Sequence, residues 1–226
     1  MKKNALILCA HPDDETYGVG GTIVELKREG YAVFVYILTD GVTARHNVKT
    51  PQREAAERAC ELLGVDELFF EDLPDQGLDG LPLLDVIKPI SKMIDNLTPK
   101  VVFTHHGGDV NQDHRTIFNA TLVATRPFGD NPVKELITYE VASSTEWAPP
   151  LNHWSFQPNL FVDISNQVET KVKAALEYSK VFQSEVPAYP HPRSPEEIRI
   201  YAQRRGIEVG MDFAETFQII RKLNLC

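Results

Sequence analysis

No apolar run in this 226-residue chain approaches the roughly 20 residues of a membrane-spanning helix, so stable membrane insertion is not expected. Basic residues are in deficit: 23 Lys and Arg against 32 Asp and Glu leave a formal charge of −9. That balance argues against a nucleic-acid partner held by phosphate neutralisation, although it permits a small anionic substrate. Cysteine is scarce. Cys9, Cys60 and Cys226 are widely spaced, form no CxxC pattern and suggest no disulfide framework, which makes a reducing cytoplasm the simplest setting. The apolar run Ala5–Cys9 after Met1-Lys2-Lys3 is shorter than the roughly 7–15 residues of a signal-peptide core, so no secretory leader is expected. Internal repeats and low-complexity stretches are absent. Gly18-Val19-Gly20-Gly21 lacks the spacing of a dinucleotide fingerprint and follows an acidic burst that would repel a pyrophosphate. These glycines read as close helix–strand packing.

Strand-like and helix-like segments alternate along the chain. This predicts an α/β fold, a mostly parallel sheet with helices on both faces, in a single domain spanning residues 1–226. The strands are expected at Ala5–Cys9, Ala32–Leu38, Glu67–Phe70, Lys100–Thr104, Glu135–Glu140 and Asn159–Val162. Several are unbroken apolar runs, as parallel strands covered on both faces require. Helices are expected over Gly20–Arg28, Thr50–Leu63, Leu83–Leu97 (starting late or kinking at Pro89), Asn111–Ala124, Ser165–Ser179, Ser194–Arg205 and Asp212–Leu223. Thr50 is the expected N-cap of the second of these, and Ser194-Pro195-Glu196-Glu197 forms a capping box. Residues 184–194, rich in proline, read as an ordered loop or lid. The segment Glu140–Pro158, which carries Trp147 and Trp154, reads as a functional loop.

The densest chemistry is Ala10-His11-Pro12-Asp13-Asp14-Glu15, directly after the first strand. In open α/β sheets, ligands bind outside the C-terminal ends of the strands. His11 and Asp14, three residues apart in a tight loop, can reach one point, and an imidazole with a carboxylate suits Zn²⁺. A second loop, Thr104 to Arg115, also follows a buried strand and supplies His114 as a third ligand. A His-Asp-His set leaves a coordination position for water, as a catalytic zinc requires. Zinc lowers the pKa of a bound water to about 7, and Asp13, left free, is placed to take its proton as general base. The reaction class that follows is metal-assisted hydrolysis of an amide or ester. Such a site would also accept Fe²⁺, Co²⁺ or Ni²⁺.

Together with Gln112-Asp113-His114, this first motif resembles the LmbE-like, or PIG-L, N-deacetylase family. The resemblance extends through Thr39-Asp40-Gly41, Arg53-Glu54-Ala55-Ala56, Leu73-Pro74-Asp75, Gly210 and Ala214-Glu215-Thr216-Phe217. It implies a Rossmann-like fold, a zinc ion held by His11, Asp14 and His114, Asp13 as general base, and Arg53 as a substrate contact at the pocket wall. The implied substrate is a small N-acetylglucosamine-type sugar or its conjugate, and homo-oligomers are common in the family. One position departs from the pattern. Asn111 stands where the family commonly has a histidine, and an amide can donate to an oxyanion but cannot act as an acid at neutral pH. Proton delivery to the leaving amine then falls to Asp13, His105, His106 or His191, with no choice among them from sequence. Asp109 and Asp113 are candidates to orient histidines. Two other readings stay open: a zinc hydrolase of another amide or ester, and a non-catalytic sugar-binding protein on the same fold. An intact Asp13 counts against the second.

Overall fold

A computed structural model describes residues 3–41, 50–129, 132–152, 154–181 and 183–224. In chain order the elements are β1 (Asn4–Cys9), α1 (Asp14–Arg28), β2 (Ala32–Thr39), α2 (Thr50–Leu63), β3 (Glu67–Leu73), α3 (Leu83–Leu97), β4 (Val101–His105), α4 (Gln112–Ala124), β5 (Glu135–Tyr139), β6 (Leu160–Asp163), α5 (Val168–Ser179), α6 (Pro195–Ile207) and β7 (Ala214–Lys222). The side chain of Thr50, the expected cap of α2, lies outside the described residues.

The strands form one sheet in the order β3-β2-β1-β4-β5-β7-β6. The first five run parallel, and β7 pairs antiparallel with both β5 and β6. Alternation along a strand sends successive side chains to opposite faces. In β1, Ala5, Ile7 and Cys9 join the core beneath α1, α2 and α5, while Leu6 and Leu8 join the core beneath α3 and α4. Both faces are thus covered, which explains the unbroken apolar sequence of β1. From β1 the chain winds outward to β2 and β3, then crosses back to β4 and β5. The strand order therefore reverses between β1 and β4, and the loops leaving their C-terminal ends part on either side of a crevice.

Two expectations are corrected. The segment 212–223, expected as a helix, forms strand β7 over Ala214–Lys222. Ala214, Glu215, Thr216 and Phe217 are all buried there, and the Thr, Phe and Ile side chains fit a pleated surface between two partner strands. Helix α1 begins at Asp14, six residues before the expected start. The glycines inside it allow contacts that a side chain would block: a Cβ on Gly18 would lie 2.3 Å from Tyr139, and one on Gly21 would lie 2.6 Å from Ile164. Helix α3 has the expected bounds, Leu83–Leu97, with Pro89 inside it, so of the two alternatives the late start is excluded. Strand β7 is also fastened to α1. Glu215 accepts hydrogen bonds from the Gly21 and Thr22 amides at 2.9 and 2.7 Å and from Lys171 Nζ at 2.6 Å. No helix among the described residues is long and apolar enough to cross a membrane.

Candidate metal centre and active site

The β1–α1 loop delivers His11 and Asp13, and α1 opens on Asp14. The loop after β4 and the first turn of α4 deliver Asn111, Asp113 and His114. His11, Asp14 and His114 present their donor atoms to one point, and all three are buried. His11 Nδ1 lies 3.4 Å from His114 Nε2 and 3.6 Å from Asp14 Oδ2, and His114 Nε2 lies 3.5 Å from Asp14 Oδ1. Ligands about 2.0–2.1 Å from a tetrahedral zinc stand about 3.3–3.4 Å apart, so this triangle is close to the size that such an ion needs.

Each histidine is turned by a carboxylate on its far side. Asp113 Oδ2 lies 3.1 Å from His11 Nε2, and Asp109 Oδ2 lies 3.2 Å from His114 Nδ1. Both contacts favour a proton on the outer nitrogen and leave the inner lone pair facing the centre, the arrangement usual for metal-binding histidine. The carboxylates are themselves held. Asp113 accepts from the Gln76 and Leu78 amides at 2.8 and 3.0 Å, and Asp109 accepts from the Ser144 hydroxyl and from Thr145 at 2.6 Å. Burial alone would depress the His114 pKa, but Asp14 and Asp109 outweigh it and push it up to about 10. Burial would likewise raise Asp14, yet His114 and His105 hold it well below the ordinary carboxylate range. A field that draws a proton onto His114 also draws a metal cation.

His105 ends β4 directly behind this group. It is fully buried and accepts the Ala10 amide proton on Nε2 at 2.9 Å. Burial and the neighbouring His114 lower its pKa to about 4, so the ring is neutral near pH 7.

A cavity of about 580 Å³ opens over the donor triangle, a size usual for a small-molecule site. Asp13, Asn111, His191, Gln52, Gln76 and Trp147 contribute to its wall. The candidate ligands and Asp13, Asn111 and His191 therefore meet in one place, with Asp109 and Asp113 behind the histidines. Two expected substrate contacts stand elsewhere. His105 is walled off behind His114, and Arg53 turns its guanidinium to Asp72 at 2.6 Å and over the Phe70 ring. His106 is also turned away, 2.9 Å from the Trp154 carbonyl through Nε2. In the 140–158 loop, Trp147 faces the cavity, whereas Trp154 packs under Arg115.

The principal residue that the sequence reading passed over is Arg193. Its guanidinium forms an ion pair with Asp13 and lies 3.3 Å from Glu185. The available signal was a cation beside His191 in the proline-rich segment. Its pairing with Asp13 spans 180 positions of chain, which no local pattern encodes.

The family PIG-L, described as GlcNAc-PI de-N-acetylase, matches residues 6–125. An uncharacterized deacetylase of Escherichia coli K12, YaiS, is 27% identical over 79% of this chain and 91% of its own length. The diacetylchitobiose deacetylase of Thermococcus kodakarensis is 27% identical over 81% of this chain and 72% of its own. Among solved structures, the conserved protein TT1542 of Thermus thermophilus superposes with a TM-score of 0.78 at 25% identity, covering 98% of this chain and 96% of that one.

Proposed function

This chain belongs to the PIG-L family of de-N-acetylases, and we propose that it is a zinc-dependent amidohydrolase that removes acetyl from an N-acetylated amino sugar or a conjugate of one. The observation that carries this reading is the donor triangle of His11, Asp14 and His114, with Asp13 lining the same cavity. The names of relatives that act on N-acetyl sugars support the substrate class.

His11, Asp14 and His114 would hold the ion; when bound, it supplies Lewis-acid activation of water and of the acyl oxygen. Asp13, which is not in the ligand triangle, takes the proton of the attacking water as the new C–O bond forms. Asn111 faces the acyl group with a fixed amide. Its Oδ1 is occupied by the Asp113 N–H at 2.9 Å as the N-cap of α4, which leaves its NH₂ as a donor for the oxyanion. Collapse breaks the C–N bond and needs one proton on the departing nitrogen. His105 is walled off and His106 is turned to Trp154, so Asp13 and His191 remain. His191 accepts the Arg193 amide proton on Nδ1 at 3.1 Å, and an imidazole that accepts there has no acidic proton to give, so the proton that Asp13 took from water returns to the departing nitrogen. Carboxamides, Ser143 and Trp147 in the lining suit a hydroxyl-rich ring.

The test is acetate release from N-acetylated amino sugars and their lipid, glycoside and organic-acid conjugates. Wild type and Asp13→Ala would be compared at equal zinc content. Release that is lost in Asp13→Ala while zinc stays bound supports the reading. No release from any substrate, with zinc held by both proteins, overturns the amino-sugar assignment.

A further inference from the structure

Asp13 is an aspartate with an unusual backbone and a distant partner. It precedes α1 at φ 118°, in the left-handed region, and its side chain does not cap the helix. Its amide donates to Glu15 Oε2 at 3.0 Å. Its Oδ2 meets Arg193 Nη2, while Arg193 Nη1 lies 3.3 Å from Glu185 and the guanidinium sits 4.9 Å from the Tyr17 ring centroid. Only 12% of the Arg193 side chain is exposed. A guanidinium buried so far needs anionic partners, and its planar fork fixes their orientation as a lysine ammonium would not.

The loop that carries Arg193 is anchored without this guanidinium. The Tyr17 hydroxyl donates to the Arg193 carbonyl at 3.2 Å, the Ser194 amide donates to the His191 carbonyl at 2.9 Å, and Ser194 caps α6. The guanidinium of Arg193 therefore adds to fastenings the loop already has: one nitrogen meets Glu185 of the same segment and the other reaches Asp13.

We propose that Arg193 is the positioning residue for Asp13: the ion pair holds Oδ2, so that Oδ1 is presented to the reacting water. This rests on Asp13 acting as the general base. A free aspartate samples several χ1 and χ2 rotamers, and a base displaced by about 1 Å can cost on the order of 100-fold in rate.

The experiment compares zinc-loaded wild type, Arg193→Ala, Arg193→Lys and Asp13→Ala on the N-acetyl sugar that wild type hydrolyses, with zinc content and thermal midpoint recorded for each. Expected for Arg193→Ala is a kcat loss of about 100-fold with KM within about threefold, zinc unchanged, and partial recovery in millimolar guanidinium that Asp13→Ala does not show. Arg193→Lys, which keeps the charge and protects the fold, should lose less kcat, again with little change in KM. Unchanged kcat in both variants, a loss confined to KM, or a loss that follows the thermal midpoint without a guanidinium response would overturn the assignment while leaving Asp13 as base. Asp13→Ala as active as wild type at equal zinc content would overturn the general-base reading, and the role of Arg193 with it.

Discussion

The rings of His105 and His114 lie face to face, with centroids 3.8 Å apart and planes 14° from parallel. His105 is the neutral member, and its Nε2 also stands 3.3 Å from Asp14 Oδ2. It thus backs one candidate ligand and touches another. His105→Ala would orphan the Ala10 amide and is expected to cost about 1–3 kcal/mol in urea unfolding. It should also weaken zinc by about 10–100-fold in chelator competition, the usual cost of losing support behind a metal ligand. Unaltered zinc affinity would reduce His105 to a space-filler.

Asp109 accepts two hydroxyls and faces His114 Nδ1, so its charge is already committed to that ring. Asp109→Asn nearly preserves shape and removes the charge. Zinc affinity is expected to fall about 10–100-fold with the fold retained, as read by chelator competition beside circular dichroism.

Zinc binding should strengthen as pH rises. In the metal-free protein His114 holds a proton up to about pH 10, because Asp14 and Asp109 outweigh its burial, and His11 is raised in the same direction. Binding must expel the His114 proton, so the apparent association constant should climb about tenfold per pH unit between pH 6 and 8, and more steeply where His11 also releases one. A flat profile in competition titrations would contradict the ligand set.

Asn111 has two separable duties. Asn111→Asp keeps an acceptor for the Asp113 amide and should leave the thermal midpoint near wild type, but it loses the NH₂ donor. Its kcat is expected to drop about 100–1000-fold, the cost of one oxyanion donor. Asn111→Ala loses the cap as well, with about 0.5–2 kcal/mol of stability. Undiminished kcat in Asn111→Asp would remove the oxyanion role.

Much of this site was legible because its chemistry is local. His11 and Asp14 stand three apart, and the unbroken apolar runs of β1 and β4 already placed two polar loops at the same edge of a parallel sheet. What escaped was long-range. The pairing of Arg193 with Asp13 depends on where a proline-rich loop settles, and Arg53 was turned by Asp72 and Phe70, which arrive on a neighbouring strand. The segment Ala214–Lys222 holds charged and polar residues that suit either state, and only the gap between β5 and β6 makes it a strand. The start of α1 escaped for a related reason: glycines that discourage an isolated helix are required here by Tyr139 and Ile164.

The position of β7 sets an order of assembly. It follows β6 in the chain yet lies between β6 and β5, so β6 has no ladder to join until β7 has been made. During synthesis the five parallel strands can pair as they emerge, while Leu160–Asp163 waits for Ala214–Lys222, about 50 residues behind it. A ribosome stalled in that interval would leave β5 as an open edge, and Gly21 and Thr22 would lack the carboxylate of Glu215. Nascent chains released before Glu215 should therefore be the most prone to stick to one another.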